Sequence, residues 1–235
     1  MNTEFKEKLK GLAMEKLHQL FYLPDNGETV ECSDAILEFA DLFLEDEAVM
    51  KNLHEAYRQN LPSIDLYSQT IDITYRNEQG LHTIAFLDKK FSLEEASYVD
   101  FLSYSIEMMR EVLPLGSVVE LDPHFFNPDQ VTLKPVKVVI TGRFILPENY
   151  KSFFPYVGVV YPLGEVKKDS TIYFTHPLIE SVVHVGYKDE LEEAFEVLIK
   201  NEMILDKGMK SIEFSTSDVS QLQMEREPEE KAGER

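Results

Sequence analysis

The sequence predicts an α+β protein: a helical N-terminal region carrying one β-hairpin, then a small, mainly antiparallel sheet packed by a C-terminal helix. Apolar residues recur at helical spacing up to Pro62, which marks amphipathic helices. Between Leu113 and Tyr187 the runs LPLGSVVEL, VKVVITGRF, YVGVVYPLG and STIYFTHPLIESVVHVGY are rich in β-branched and aromatic residues and are broken by Gly and Pro. That is the pattern of a compact β-module. Strands come in a run closed by a helix rather than in β-α alternation, which favours α+β over a parallel sheet.

Residues 3–23 form the first expected helix, with Phe5, Leu9, Leu12, Leu17, Leu20 and Phe21 recurring among lysines and glutamates and Thr3 as N-cap. Pro24 to Gly27 breaks it. Ser33 caps a second helix whose face is Ile36, Leu37, Ala40, Phe43 and Leu44, and the pattern resumes through Val49, Leu53, Ala56 and Tyr57. This is read as two helices or one bent helix ending before Pro62. The run TIDITYR-NEQG-LHTIAFL is a hairpin within residues 69–88, with Gly80 supplying positive φ in the turn. Ser92-Leu93-Glu94-Glu95 reads as a capping box opening a helix through Tyr98, Phe101, Ile106 and Val112.

In the module, Ser117–Leu121, Val136–Leu146, Tyr156–Tyr161, Thr171–Thr175 and Ser181–Val185 are expected strands, and Asp122–Pro135 a loop. Lys188–Lys200 is the terminal helix. Its stripe of Leu191, Ala194, Phe195, Leu198 and Ile199 is expected to cover the sheet, leaving Glu190, Glu192, Glu193 and Glu196 in solvent. From Ser215 the composition turns to Ser, Asp, Gln, Glu and Pro, too poor in apolar surface to offset ordering entropy. The expected division is therefore 1–112, a mainly helical region, 113–214, an α+β module, and 215–235, a disordered acidic tail. If the hairpin extends the later sheet, the first two merge into one domain.

The chain has 43 acidic against 23 basic residues, a net charge of −20, and no cluster of Lys and Arg. Nucleic acid and anionic membranes are therefore unsuited partners, since their binders answer phosphate with clustered cations. No apolar run reaches the roughly 20 residues that span a bilayer. The start, MNTEFKEKLKGLAMEKL, lacks the continuous apolar core of a secretory signal. The single cysteine, Cys32, cannot form an intramolecular disulfide, consistent with the cytoplasm.

Motifs for chemistry are missing: no HExxH, no GxSxG, no phosphate-binding Gly-rich loop. His18, His54, His82, His124, His176 and His184 are scattered without zinc-ligand spacing. The sequence therefore predicts no enzyme, no cofactor and no metal. Candidate protein-binding residues are Phe153, Phe154 and Tyr156, where adjacent aromatics meet at a loop-to-strand transition, and Glu190 and Glu193, which form an acidic strip. Arg143 is the last, placed to pair a carboxylate of the terminal helix or of a partner, the internal pair being favoured.

The wording and order of LPLGSVVEL, VVITGRF, YVGVVYPLG and YFTHPLIESVVHVGY, within the core 113–200, resemble the bacterial domain of unknown function 4176 family. Members of that family are often encoded beside type VII secretion genes and their LXG-type toxins in Gram-positive bacteria. The resemblance implies a cytoplasmic accessory protein, an adaptor or chaperone for a secreted LXG-type substrate or a component of the secretion system. The alternative it leaves is an immunity protein that neutralises a secreted toxin. From another class, a small hydrolase or ligand-binding enzyme would use His124, His176 or His184 with nearby acids.

Overall fold

A computed structural model describes residues 3–22, 33–123, 135–168 and 170–222. Cys32, His124 and the Pro24 to Gly27 breaker lie outside the described residues. The architecture is α+β, in two compact units, Met1–Glu111 and Val112–Arg235.

The first unit carries α1 (Thr3–Phe21), α2 (Ser33–Phe43) and α3 (Glu47–Arg58), then β1 (Ser63–Ser68), β2 (Ile71–Glu78), β3 (Leu81–Phe86), β4 (Lys89–Glu94) and α4 (Glu95–Met109). α1 buries Phe5, Leu9, Ala13, Leu17 and Phe21, one residue every turn, and packs on α4 and α2. α2 and α3 are separate helices. Asp46 sits between them and its carboxylate accepts from the amides of Ala48 and Val49, both at 3.1 Å. It also accepts from the Ser68 hydroxyl, tying the cap to β1.

The expected hairpin is the centre of a four-stranded antiparallel meander, β1-β2-β3-β4. Gln79 and Gly80 both have positive φ, 57° and 86°, as a two-residue type I′ turn demands. Alternation places Ile73, Tyr75, His82, Ile84, Phe86, Phe91 and Leu93 on the buried face. Phe39 of α2 meets Phe43, Phe86, Phe91 and Phe101, with ring centroids 4.9–6.1 Å apart. The capping box is not formed. Ser92 lies inside β4, where its hydroxyl is 2.8 Å from that of Thr83, and α4 begins only at Glu95. The ladder to β3 and the burial of Phe91 and Leu93 outweigh one cap hydrogen bond.

The second unit holds β5 (Val118–Leu121), β6 (Val136–Ile145), β7 (Phe154–Val160), β8 (Ile172–Phe174), β9 (Ile179–His184) and α5 (Glu190–Lys200). The strands form one antiparallel sheet in the order β8-β7-β6-β5-β9, so β9 is an edge. Val112, Val119, Leu121, Val138, Ile140, Tyr156, Phe174 and Leu178 make its core. Gly158 lets β6 and β7 close: a Cβ there would lie 2.4 Å from the Val139 carbonyl oxygen. After α5 the helix widens into a π-helical stretch over Asn201–Asp206.

The segment expected to be disordered from Ser215 begins instead with ordered helix. Residues 216–222 are helical, and the Asp218 carboxylate is buried, accepting from the Lys151 and Ser152 amides at 3.1 and 2.9 Å and from the Ser152 hydroxyl at 2.5 Å. One well-placed carboxylate anchors a stretch whose composition alone argues against order. Residues 223–235 lie outside the described residues.

Candidate functional site

α5 is turned the other way round from its expected orientation. Asp189 caps it, accepting from the amides of Leu191 and Glu192 at 3.0 and 3.1 Å. The inward face is polar. Glu192 pairs with Arg143 of β6, whose side chain is 5% exposed. Glu196 and Lys200 form an ion pair at 2.8 Å with both side chains fully enclosed. Glu196 also accepts from the Val112 amide at 3.2 Å. Glu192, Glu196 and Lys200 are spaced by one turn and form a continuous inner stripe.

Because the charged stripe points inward, the apolar one points out. Leu191 is 78% exposed, Phe195 39% and Leu198 68%. Ala194 lies between them and is exposed as well. The Arg143 guanidinium stands 4.7 Å from the centre of the Phe195 ring, so one cation both neutralises Glu192 and supports the outward aromatic. Just before α5 in the chain, Val182, Val183, Val185 and Tyr187 are also exposed. Scattered exposed apolar residues are ordinary, but a helix stripe of leucines in water is not.

The other candidates fall as follows. Phe153, Phe154 and Tyr156 are interior residues, 2%, 7% and 0% exposed, so they offer no surface to a partner. The adjacent aromatics expected to offer a contact surface at this loop-to-strand transition are both covered, because the strand end is enclosed on both sides. Phe154 packs on Tyr173, while the Phe153 amide and carbonyl bond Lys210 and Ile212 at 3.0 and 2.9 Å. Arg143 makes the internal pair. Glu190 is exposed beside the apolar stripe, and Glu193 is half-buried, further round toward the inner face. Leu191, Phe195 and Leu198 were legible only as an inner stripe. The signal against that reading was the equally regular Glu192, Glu196, Lys200 series, together with Arg143 on a strand of the same module.

Among the described histidines, His176 and His82 make side-chain hydrogen bonds. His176 Nε2 is 2.9 Å from the Tyr156 hydroxyl, which also receives the Leu113 amide. His184 is exposed on the edge strand β9. In the first unit, His82 is buried between the Tyr75 hydroxyl at Nδ1 and Glu95 at Nε2, both at 2.9 Å, and Glu95 takes the Tyr57 hydroxyl at 2.7 Å on its other oxygen. Burial raises the pKa of Tyr75 to about 12 and also raises that of Tyr57, so both phenols donate at neutral pH. The hydrogen bond from His82 holds Glu95 below the usual carboxylate range. Each hydroxyl and ring N–H of this Tyr75–His82–Glu95–Tyr57 relay has an acceptor, and both Glu95 oxygens accept one. The open hollow beside it, about 380 Å3 and lined by Asn60, Pro62, Asn77, Gln79, Gly80 and Glu95, therefore faces no free base from that network. Among the described residues, no group of three or more His, Cys, Asp or Glu is placed to hold a metal ion. No helix among them is long and apolar enough to cross a membrane.

Residues 112–195 match the model of a family described as a domain of unknown function (DUF4176). The match begins where the second unit begins and spans β5 to β9 and the opening of α5. It supports the resemblance of this unit to that family. No curated protein and no solved structure matches the chain.

Proposed function

We propose that this chain is a non-enzymatic accessory protein that binds another polypeptide through the outward stripe of α5. In the setting that the family resemblance implies, it acts in the cytoplasm as an adaptor or chaperone for an LXG-type substrate of type VII secretion. The observation that carries the binding role is the inverted helix. Burying an ion pair is at best neutral beside an apolar face of the same volume. Leaving leucines in water forgoes about 2 kcal/mol for each one that full burial would recover. An arrangement that does both is accounted for when the stripe is covered in a complex.

The test is co-expression with an LXG-type protein of the same organism, followed by size-exclusion chromatography at micromolar concentration. The two chains are expected to co-elute, and the double substitution Leu191→Ser with Leu198→Ser is expected to separate them without unfolding the chain. Co-elution that survives the double substitution removes α5 as the docking face. Separate elution of the unaltered proteins removes the adaptor role toward that substrate. Capture of the toxin half alone, without the N-terminal targeting half, assigns the immunity role instead.

A further inference from the structure

Resting on the reading of α5 as a docking face, we infer that its occupant is a basic amphipathic helix of a partner chain. The shape of the stripe selects a helix. Leu191, Ala194, Phe195 and Leu198 stand at i, i+3, i+4 and i+7, the four corners of the hole that accepts one knob from a facing helix. The three large residues form the walls, and the small Ala194 leaves depth for an inserted leucine or isoleucine. α5 spans 11 residues, about 16 Å of axis, which matches two to three turns of a partner. An extended strand would find no unpaired backbone along this face, because the helix satisfies its own amides and carbonyls.

Charge selects a basic partner. Glu190 lies on one flank of the stripe, the half-buried Glu193 stands one turn on and further round that side, and the N-cap Asp189 closes the N-terminal end. Two cations of this face are turned inward: Lys200 is sealed against Glu196, and Arg143 pairs with Glu192 from β6. A partner helix with Lys or Arg along one edge meets those carboxylates as its apolar seam enters the hole. A second copy of this chain would bring the same acids to the same place and set a net charge of −20 against another −20.

The probe is a synthetic, end-capped helix of about three heptads with Leu and Ala at the seam and Lys on both flanks. It is compared with a scrambled peptide of identical composition and with a version carrying Glu for Lys, by fluorescence anisotropy against the full chain. The Lys-flanked helix is expected to bind at least about tenfold tighter than the scramble, a difference that the double substitution L191S with L198S abolishes. The charge reversal E190K with E193K is expected to weaken the Lys-flanked helix and strengthen the Glu-flanked one. Equal binding of helix and scramble, or affinity indifferent to the charge reversal, overturns the inference. If the LXG-type partner is lost on L191S with L198S while the Lys-flanked helix binds no better than its scramble, the docking face stands and the basic helix falls. If that partner ignores the double substitution, the docking face itself falls. A dimer seen by sedimentation that L191S with L198S dissolves assigns the face to a second copy and overturns the inference as well.

Discussion

His54 makes the first unit sensitive to mild acid. It lies on the buried face of α3 at 4% exposure. Burial, reinforced by the positive charges of Arg110 and Arg58, lowers its pKa from 6.5 to about 3. A base with a depressed native pKa stays neutral in the folded state while the unfolded chain takes up a proton. Its contribution is therefore complete above the unfolded value and is withdrawn progressively as pH falls toward the folded one. Between about pH 7 and pH 5 the unfolded imidazole gains most of a proton, which costs about 2 kcal/mol at 1.36 kcal/mol per unit. The depressed pKa of Glu95 withdraws stability as pH falls from its ordinary value of 4.5, mostly below this window, and does so equally in both proteins. Urea unfolding of the wild type and of His54→Leu, followed by circular dichroism at both pH values, isolates the effect. Other titrating groups contribute equally to both proteins, so the wild type should lose about 2 kcal/mol more than the variant. Histidine NMR provides the direct reading: the His54 imidazole should remain neutral at pH 5. Parallel losses in the two proteins, or six resolved histidines all titrating near the ordinary value, would refute the reasoning.

Three further outcomes follow from the geometry. Glu196→Ala strands Lys200 in the interior and should cost about 3–5 kcal/mol in denaturant unfolding, whereas Glu196→Met combined with Lys200→Met should recover most of it. Asp218→Ala leaves the Lys151 and Ser152 amides without their acceptor, so it should cost about 2–3 kcal/mol and raise hydrogen exchange at residues 151–154 and 216–222 together. Asp46→Ala should cost about 1–2 kcal/mol as a lost N-cap, while Ser92→Ala should stay within about 0.5 kcal/mol, because Ser92 caps nothing.

The β-module was legible because its runs are bounded by residues with local meaning. Pro114 and Gly116 precede β5, Pro162 and Gly164 follow β7, and His176-Pro177 leads into β9. The hairpin was legible for the same reason, through Gly80. What escaped were elements whose identity is decided by distant partners. β1 shows only weak alternation, half-buried Ile64, Leu66 and Ser68 against exposed neighbours, and exists because β2 pairs with it. β4 carries a sequence that satisfies a helix cap and a strand equally well, and the ladder from Leu81 to Phe86 decides between them. The burial of Phe153 depends on residues more than fifty positions later, the segment Lys210 to Ile212. Local pattern carries no record of such encounters.

α5 shows the same limit in its sharpest form, and it bears on function. Its sequence has two complete stripes, Leu191-Phe195-Leu198 and Glu192-Glu196-Lys200, and helical periodicity cannot say which faces the sheet. Arg143 decides: a guanidinium so placed on β6 needs a carboxylate, and Glu192 provides it in a two-toothed pairing. The choice has a mechanical result. An apolar inner face would tolerate small rotations and slides, since the hydrophobic effect is not directional. The Arg143–Glu192 pair and the bond from the Val112 amide to Glu196 instead fix α5 in rotation and along its axis. The outward stripe is thus held in one register, which under the proposed docking role removes part of the ordering cost of association. If α5 docks a partner as proposed, these buried charges support its docking face, and Arg143→Leu should weaken co-elution with that partner although the Arg143 side chain is almost wholly enclosed.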